Sequence, residues 1–136
     1  MAGNAYVDSS ALLKLAFPDA YTPALEADLS ARDGLLSSRL TAIECGRTLR
    51  RETRRKPLYT LEDLLEGVVL LEITPAIGER ASDVPPPVLR SLDAIHLATA
   101  LSLEDPSLEL ITYDHRLADA ARAHGLTVVQ PGVTQA

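Results

Sequence analysis

The chain has 136 residues, of which 46% are hydrophobic and 24% charged, as is typical of a single soluble globular domain. Its one cysteine, Cys45, excludes a disulfide framework and a cysteine-based zinc site, and the formal net charge of −6 argues against binding nucleic acid over the whole surface. The start of the sequence lacks a basic signal region, and no apolar run reaches the length of a membrane span. We therefore expect one cytoplasmic domain over residues 1–136 that does not enter a membrane.

Short apolar runs with strand character alternate along the chain with segments of helical character. The predicted strands are Ala5–Val7, Leu35–Ser37, Val68–Glu72, Leu108–Tyr113 and Thr127–Val129. The predicted helices are Ala11–Ala16 capped by Ser9 or Ser10, Pro23–Arg32, Arg39–Lys56 capped by Ser38, Thr60–Glu66, Ala76–Ala81, a helix capped by Ser91 that runs to Glu104, and Arg116–His124. This alternation predicts the α/β class, as a three-layer α/β/α sandwich around a mostly parallel sheet of about five strands.

Four acidic residues stand where predicted strands end or helices lie: Asp8, Glu44, Asp93 and Asp114. The carboxyl ends of parallel strands and the adjoining helix starts line one crevice in such folds. Carboxylates gathered there repel one another unless a cation neutralises them, and hard oxygen ligands suit Mg²⁺ or Mn²⁺. The pattern therefore predicts a metal site. The competing interpretations are local: Asp8 and Asp114 as helix caps, and Asp93 as a first-turn acid that the helix dipole favours.

Three further residues are predicted to support these acids. Ser9 follows Asp8 directly, and Thr112 stands two residues before Asp114 as a hydroxyl ligand or water anchor. His96 lies three residues after Asp93. We expect it to contact a metal ligand without binding the metal, or to be a core histidine, since an all-oxygen site does not require it. Cys45 is expected to be a small buried residue, because the spacing places no base beside it.

Six of the ten residues from Arg47 to Lys56 are basic. At helical spacing, Arg47, Arg51 and Arg55 (the arginine row) continue the face that carries Glu44. Guanidinium groups suit phosphate contacts, so the arginine row is predicted to bind a nucleic-acid backbone. A solvated face held by salt bridges, or a surface for a protein partner, remains an equal alternative.

In four stretches, in this order along the chain, the sequence resembles the PIN-domain ribonucleases, specifically the toxins of VapBC-type toxin–antitoxin pairs. The stretches are Tyr6–Leu15, Thr41–Glu44, Leu92–Ala100 and Thr112–Ala121. The resemblance implies that Asp8, Glu44, Asp93 and Asp114 hold Mg²⁺ or Mn²⁺ and that a metal-activated water cleaves RNA endonucleolytically. It also implies a homodimer that is inhibited by a VapB-type antitoxin. The toxin would then contact DNA only indirectly, through the antitoxin.

Two other functions fit parts of the same pattern. A PIN-like module could bind RNA or protein without cutting, although the presence of all four acids favours cutting. A metal-dependent phosphatase for a small metabolite would need a closed pocket in place of an open basic groove. For the toxin, Leu12, Leu15 and Leu25 are expected to be exposed apolar positions on the early helices that contact the antitoxin.

Overall fold

The computed structural model describes residues 3–134, and in that range five strands form one sheet. The strands are β1 (Ala5–Val7), β2 (Leu35–Ser38), β3 (Val68–Leu71), β4 (Glu109–Ile111) and β5 (Thr127–Val129). They lie in the order β3-β2-β1-β4-β5, and every neighbouring pair is parallel. The predicted α/β class is confirmed, and the sheet is parallel throughout.

Helices cover both faces of this sheet. They are α1 (Ser9–Ala16), α2 (Thr22–Ser30), α3 (Arg39–Arg51), α4 (Leu61–Leu65), α5 (Pro75–Asp83), α6 (Ser91–Ser102) and α7 (His115–Ala123). Tyr6 of β1 packs in one core cluster with Leu97 of α6, whereas Val7 packs in another with Leu12 of α1 and Cys45 of α3. Because successive strand side chains point to opposite faces, these clusters are two separate cores, and three layers result.

The order of the strands creates a crevice next to β1. The first half of the chain adds β2 and β3 on one side of β1, and the second half returns to add β4 and β5 on the other side. The carboxyl ends of β1 and β4 therefore flank the topological switch point, where open α/β sheets bind their ligands. Asp8 directly follows β1, and Asp114 comes shortly after β4.

The basic helix predicted over Arg39–Lys56 is shorter than expected, because α3 ends at Arg51. Glu52 has an extended backbone, and its Oε1 accepts hydrogen bonds from the backbone N–H groups of Arg54 at 2.8 Å and Arg55 at 3.3 Å. A side chain that binds nearby backbone groups in this way competes with the helix. Arg55 consequently lies outside the helix, and the arginine row is interrupted after Arg51.

The starts of two helices differ from the prediction. Asp8, and not Ser9 or Ser10, caps α1. Ser91 lies within α6, and the residue before it, Arg90, makes no side-chain cap. Hydroxyl side chains and carboxylates are both good caps, so the residue types alone did not distinguish between Asp8 and the two serines.

The remaining elements lie close to their predicted positions. β4 is shorter than the predicted Leu108–Tyr113, because its partner β1 contains only three residues. The predicted Ser38 cap of α3 is confirmed by a 3.0 Å hydrogen bond from the backbone N–H of Leu40 to Ser38 Oγ. None of the helices within residues 3–134 combines the length and the apolar character that crossing a membrane requires.

The expectation of exposed leucines on the early helices is wrong. Leu12 and Leu25 are 1% and 0% exposed and belong to the core, and Leu15 is half-buried. Helix α1 packs against α2, α3 and α4 as well as the sheet, so little of its surface is left for solvent. A partner must therefore use other apolar side chains.

Candidate functional site

The predicted acids come from four separate elements that meet at the crevice. Asp8 caps α1, Asp114 caps α7, Asp93 lies in the first turn of α6, and Glu44 lies on α3. Burial raises the pKa of Asp93, and the negative charges of Asp114, Asp8 and Glu44 raise this pKa further. Because the effect of a charge falls with distance, the other three carboxylates lie close enough to Asp93 to act on it.

Asp8 is the most buried of the four acids, with 3% of its surface exposed. The hydroxyl of Thr112 donates to Oδ2 at 2.6 Å, and the hydroxyl of Ser10 and the backbone N–H of Ala11 donate to Oδ1 at 2.7 Å and 3.2 Å. Burial raises the pKa of this carboxyl, and the three hydrogen bonds oppose the rise. Asp8 is thus both the helix cap of the local interpretation and a firmly oriented buried acid.

Two hydroxyls tie the end of β4 to the start of α1. Thr112 Oγ1 accepts a hydrogen bond from the backbone N–H of Asp114 at 3.1 Å, and Ser10 Oγ accepts one from the backbone N–H of Tyr113 at 2.9 Å. Ser10 therefore bridges Asp8 and the β4 segment, a position that the sequence analysis did not foresee for it. Its place two residues after Asp8 was the only local signal for this contact, and Ser9, directly after Asp8, offered the same kind of signal.

Glu44 is held by residues from two other helices. Its Oε1 lies 2.7 Å from Nε2 of His96 and accepts a hydrogen bond from the hydroxyl of Ser9 at 3.3 Å. His96 is buried, and its Nδ1 lies 2.8 Å from the hydroxyl of Tyr6. The structure places His96 behind a carboxylate and Ser9 beside it, and it adds Tyr6, which the sequence analysis missed because 90 residues separate it from His96.

Asp114 is the acid with the clearest local role. Its Oδ1 accepts hydrogen bonds from the backbone N–H groups of Arg116 at 2.9 Å and Leu117 at 3.1 Å, as a helix cap does. The cap uses one carboxylate oxygen, and the charge still acts on Asp93. The two interpretations of Asp114 are therefore compatible.

The chemistry of the donors fits a hard divalent cation. All four acids offer carboxylate oxygens, the ligands that Mg²⁺ and Mn²⁺ prefer. Within residues 3–134, however, no three His, Cys, Asp or Glu side chains are drawn together as closely as the ligands of one bound ion. Like charges that face one another spread apart, and here hydrogen bonds to Thr112, His96 and the start of α7 orient three of the four.

The arginine row is only partly assembled. Arg47 and Arg51 are exposed on α3, the helix that carries Glu44, with Arg51 at its last residue. Arg55 instead lies near Glu52, with an Nη2 to Oε2 distance of 3.5 Å, and over the ring of Phe17 at 4.7 Å. The structure thus leaves two of the three predicted side chains on the same helix as the acidic site.

Cys45, next to Glu44, is fully buried in the core. Burial, together with the negative charges of Glu44 and Asp8, raises the pKa of its thiol to about 12. A thiol in this state is not a nucleophile at neutral pH. The expectation of a small buried residue is confirmed.

The raised pKa values of Asp8 and Asp93 predict a pH-dependent effect of removing one of these charges. Both carboxyls bind protons more tightly in the folded than in the unfolded chain, so their penalty is absent below about pH 3.9, the ordinary Asp pKa, and grows as pH rises through the folded pKa. In chelator, Asp93→Asn should match the parent near pH 3.5 and melt progressively higher above that pH, by about 2–4 °C per kcal/mol relieved.

Thermal unfolding followed by circular dichroism across this pH range measures the difference. Asp33, an exposed acid just before β2 at the opposite end of the sheet, provides the control, and Asp33→Asn should parallel the parent. A constant melting-temperature difference between Asp93→Asn and the parent from acid to neutral pH would contradict the electrostatic origin.

Comparisons with known proteins agree with this geometry. A family model described as PIN domain matches residues 5–123. The chain is 40% identical over 131 residues to Ribonuclease VapC35 of Mycobacterium tuberculosis, covering 93% of this chain and 96% of that protein. It is 34% identical over 134 residues to Ribonuclease VapC47 of the same species, covering 96% of this chain and 98% of that protein. A solved toxin–antitoxin complex from Klebsiella pneumoniae superimposes with a TM-score of 0.66 at 27% identity, covering 93% of this chain and 97% of that chain.

Proposed function

Because this chain belongs to the PIN-domain family and to its VapC ribonucleases, we propose that it is the toxin of a toxin–antitoxin pair and cleaves RNA endonucleolytically with Mg²⁺ or Mn²⁺. The observation that carries the proposal is that the negative charges of Asp8, Glu44 and Asp114 all act on Asp93 and raise its pKa, while Asp8 directly follows β1 and Asp114 comes shortly after β4. A protein gains no stability from such a cluster unless a cation or substrate uses it.

All four acids would contribute ligands to the ion. Bound Mg²⁺ or Mn²⁺ supplies an activated water and neutralises the charge that develops on the phosphate. Asp8 contributes a carboxylate that Thr112 and Ser10 keep in one orientation, and Glu44 contributes one that His96 and Ser9 restrain. Hydrogen bonds of this kind lower the cost of arranging the ligands, because their positions are set before the ion arrives.

The arginines of α3 would hold the RNA by its backbone. Arg47 and Arg51 are exposed on the helix that carries Glu44, so an RNA strand that reaches the acids would pass close to them. With four Tyr, one Phe and no Trp, the chain has little aromatic surface for base stacking. Backbone contacts position a strand without reading its sequence, so affinity should depend mainly on charge.

Replacing Arg47 and Arg51 together with Gln should weaken RNA binding and flatten its salt dependence. Each lost phosphate contact should lower the slope of log K against log salt by about 0.7, because fewer counterions are released from a single strand. Filter binding of RNA to an inactive Asp93→Asn background, at several salt concentrations, measures both quantities. Arg55→Gln should have a smaller effect, because its guanidinium already faces Glu52 and Phe17.

The control for this test is Arg80→Gln, which removes an exposed arginine from α5. Arg80→Gln should leave the RNA affinity and its salt slope within twofold of the parent, as expected for a charge far from the bound RNA. If the double variant behaves like Arg80→Gln, the exposed arginines of α3 contact solvent or a protein partner and not RNA.

A non-cutting RNA- or protein-binding module is the second candidate, and one observation favours it. Within residues 3–134 the acids are not gathered as tightly as the ligands of one ion. Incubation of the purified protein with total RNA, in Mg²⁺ or in chelator, followed by mapping of the new ends, separates the candidates. Internal cuts with 5′-phosphate and 3′-hydroxyl ends that vanish in chelator support the ribonuclease, whereas intact RNA supports the module. Release of phosphate without shortening of the RNA would indicate a phosphatase.

The proposal extends to partners and location. We expect a homodimer in the cytoplasm, inhibited by a VapB-type antitoxin, with DNA bound only through that antitoxin. Since Leu12 and Leu25 are buried, the apolar side chains of the antitoxin need another site. A groove of about 490 Å³ between α3 and the start of α4, where Leu58 is 66% and Tyr59 39% exposed, offers one.

A further inference from the structure

A chain of buried hydrogen bonds connects β1 to Glu44. The hydroxyl of Tyr6 lies 2.8 Å from Nδ1 of His96, and Nε2 of the same ring lies 2.7 Å from Oε1 of Glu44. The two rings meet edge to face, with centroids 6.0 Å apart and planes at 75°. Tyr6 and His96 are 0% and 3% exposed, so water does not compete for these contacts.

The order of donors in this chain follows from what each end can do. The carboxylate of Glu44 only accepts hydrogen bonds, so Nε2 of His96 must carry a proton and donate it. The hydroxyl of Tyr6 carries a proton and can donate a hydrogen bond. Nδ1 of His96 lies 2.8 Å from that hydroxyl and, in the Nε2–H tautomer, accepts the hydrogen bond that the hydroxyl donates.

The two hydrogen bonds that Glu44 accepts from described residues, from His96 and Ser9, both end on Oε1. The other oxygen, Oε2, receives no donor within residues 3–134. A carboxylate restrained through one oxygen has its second oxygen aimed in a fixed direction. Asp8 is restrained by Thr112 and Ser10 in a comparable way, so both acids have set orientations.

We propose that Tyr6 is a positioning residue: through the Nε2–H tautomer of His96 it holds Oε1 of Glu44 and presents Oε2 to a divalent ion. This inference rests on the proposed metal-dependent function. It gives β1 two effects on the site, because the strand places Asp8 at its end and orients Glu44 through the side chain of Tyr6.

The first test compares two tyrosine-to-phenylalanine variants. Tyr6→Phe keeps the buried ring and removes only the hydroxyl, and Tyr113→Phe removes a hydroxyl that donates to the backbone oxygen of Pro131 at the same distance of 2.8 Å. Titration calorimetry with Mn²⁺ should show about tenfold weaker binding for Tyr6→Phe, the lower end of the range for residues that orient metal ligands. Tyr113→Phe should stay within twofold of the parent.

The second test separates the two ends of the histidine and applies even if Tyr6→Phe does not fold. The amide nitrogen of a glutamine at position 96 can take the place of Nε2 and still donate to Glu44, whereas that of an asparagine reaches only the Tyr6 end. His96→Gln should therefore keep Mn²⁺ affinity within a few fold of the parent, and His96→Asn should lose about 10–100-fold. Equal losses in the two variants would overturn the positioning role.

The tautomer itself is measured without any metal. Long-range ¹⁵N–¹H correlation spectra of the metal-free protein should show His96 with a protonated Nε2 and an unprotonated Nδ1, and the exposed His115 serves as an internal reference. A protonated Nδ1 in the parent would overturn the inference. If the parent binds Mn²⁺ and cuts RNA while Tyr6→Phe binds Mn²⁺ equally tightly, only the role of Tyr6 fails. A parent that neither binds Mn²⁺ nor cuts RNA overturns the proposed function and this inference with it.

Discussion

Asp93→Asn should abolish RNA cleavage while leaving the protein folded. The substitution removes the carboxylate on which the charges of Asp114, Asp8 and Glu44 act and, on the proposed function, a ligand for the ion. Loss of several kcal/mol of charge stabilisation in the transition state corresponds to about a thousandfold or more in rate. Cleavage of total RNA by parent and variant, at matched protein and metal concentrations, measures the loss. In metal-free buffer the melting temperature should be unchanged or higher, because carboxylate repulsion is relieved.

Asp8→Asn should lose activity in the same assay but should not gain stability. The two oxygens of Asp8 accept hydrogen bonds from Thr112, Ser10 and the start of α1. An amide has only one acceptor oxygen, and its NH₂ group cannot accept the remaining hydrogen bonds. Asp33→Asn, at the opposite end of the sheet, should retain full activity. Cleavage that survives in Asp93→Asn, with contaminating nucleases and metals rigorously removed, would rule out a metal site at the four acids.

Expression of the intact chain alone should arrest growth, and co-expression with its neighbouring small antitoxin should restore it. An unrestrained endoribonuclease destroys RNA that its own cell needs, so an inhibitor must occupy the site between uses. The acidic crevice favours an inhibitor that inserts an arginine or lysine, which would neutralise the carboxylates through charge-assisted hydrogen bonds and displace the ion. Colony counts after induction, compared with those of cells that carry an empty vector, measure the arrest and its relief by the antitoxin.

The growth arrest should require Asp8 and Asp93. Cells that express Asp8→Asn or Asp93→Asn to the same level should grow like cells with an empty vector, and Asp33→Asn should be as toxic as the parent. Immunoblots confirm equal expression, and the circular dichroism of the purified chains confirms folding. Harmless overexpression of an intact, folded and metal-loaded chain would count against the toxin and favour the non-cutting module.

The class of the fold and the position of the acids followed from local sequence. Short apolar runs that alternate with helical segments predict a parallel sheet covered on both faces. A strand that is apolar throughout is buried on both of its faces, whereas a helix with a helical apolar period is buried on one face. Asp8 and Asp114 each come after such a run, and parallel strands bring their carboxyl ends to one edge. These inferences need no knowledge of which strand neighbours which.

The interior of the site depended on contacts between distant parts of the chain. Tyr6 and His96 are 90 residues apart, and Thr112 reaches Asp8 across 104 residues, so no local pattern could pair them. The choice of Ser10 over Ser9 as the link to Asp8 was equally undetermined.

The sequence by itself determined an α/β protein in which Asp8 and Asp114 follow two strands of the sheet, because periodicity and residue type are local properties. Only the tertiary structure decided the strand order, the burial of Leu12 and the end of α3 at Arg51. Strand order depends on which helices pack on which faces of the sheet. Leu12 is buried because α1 packs against three other helices. The helix ends where Glu52 binds the backbone beyond it, since one carboxylate can outweigh the helical preference of its neighbours.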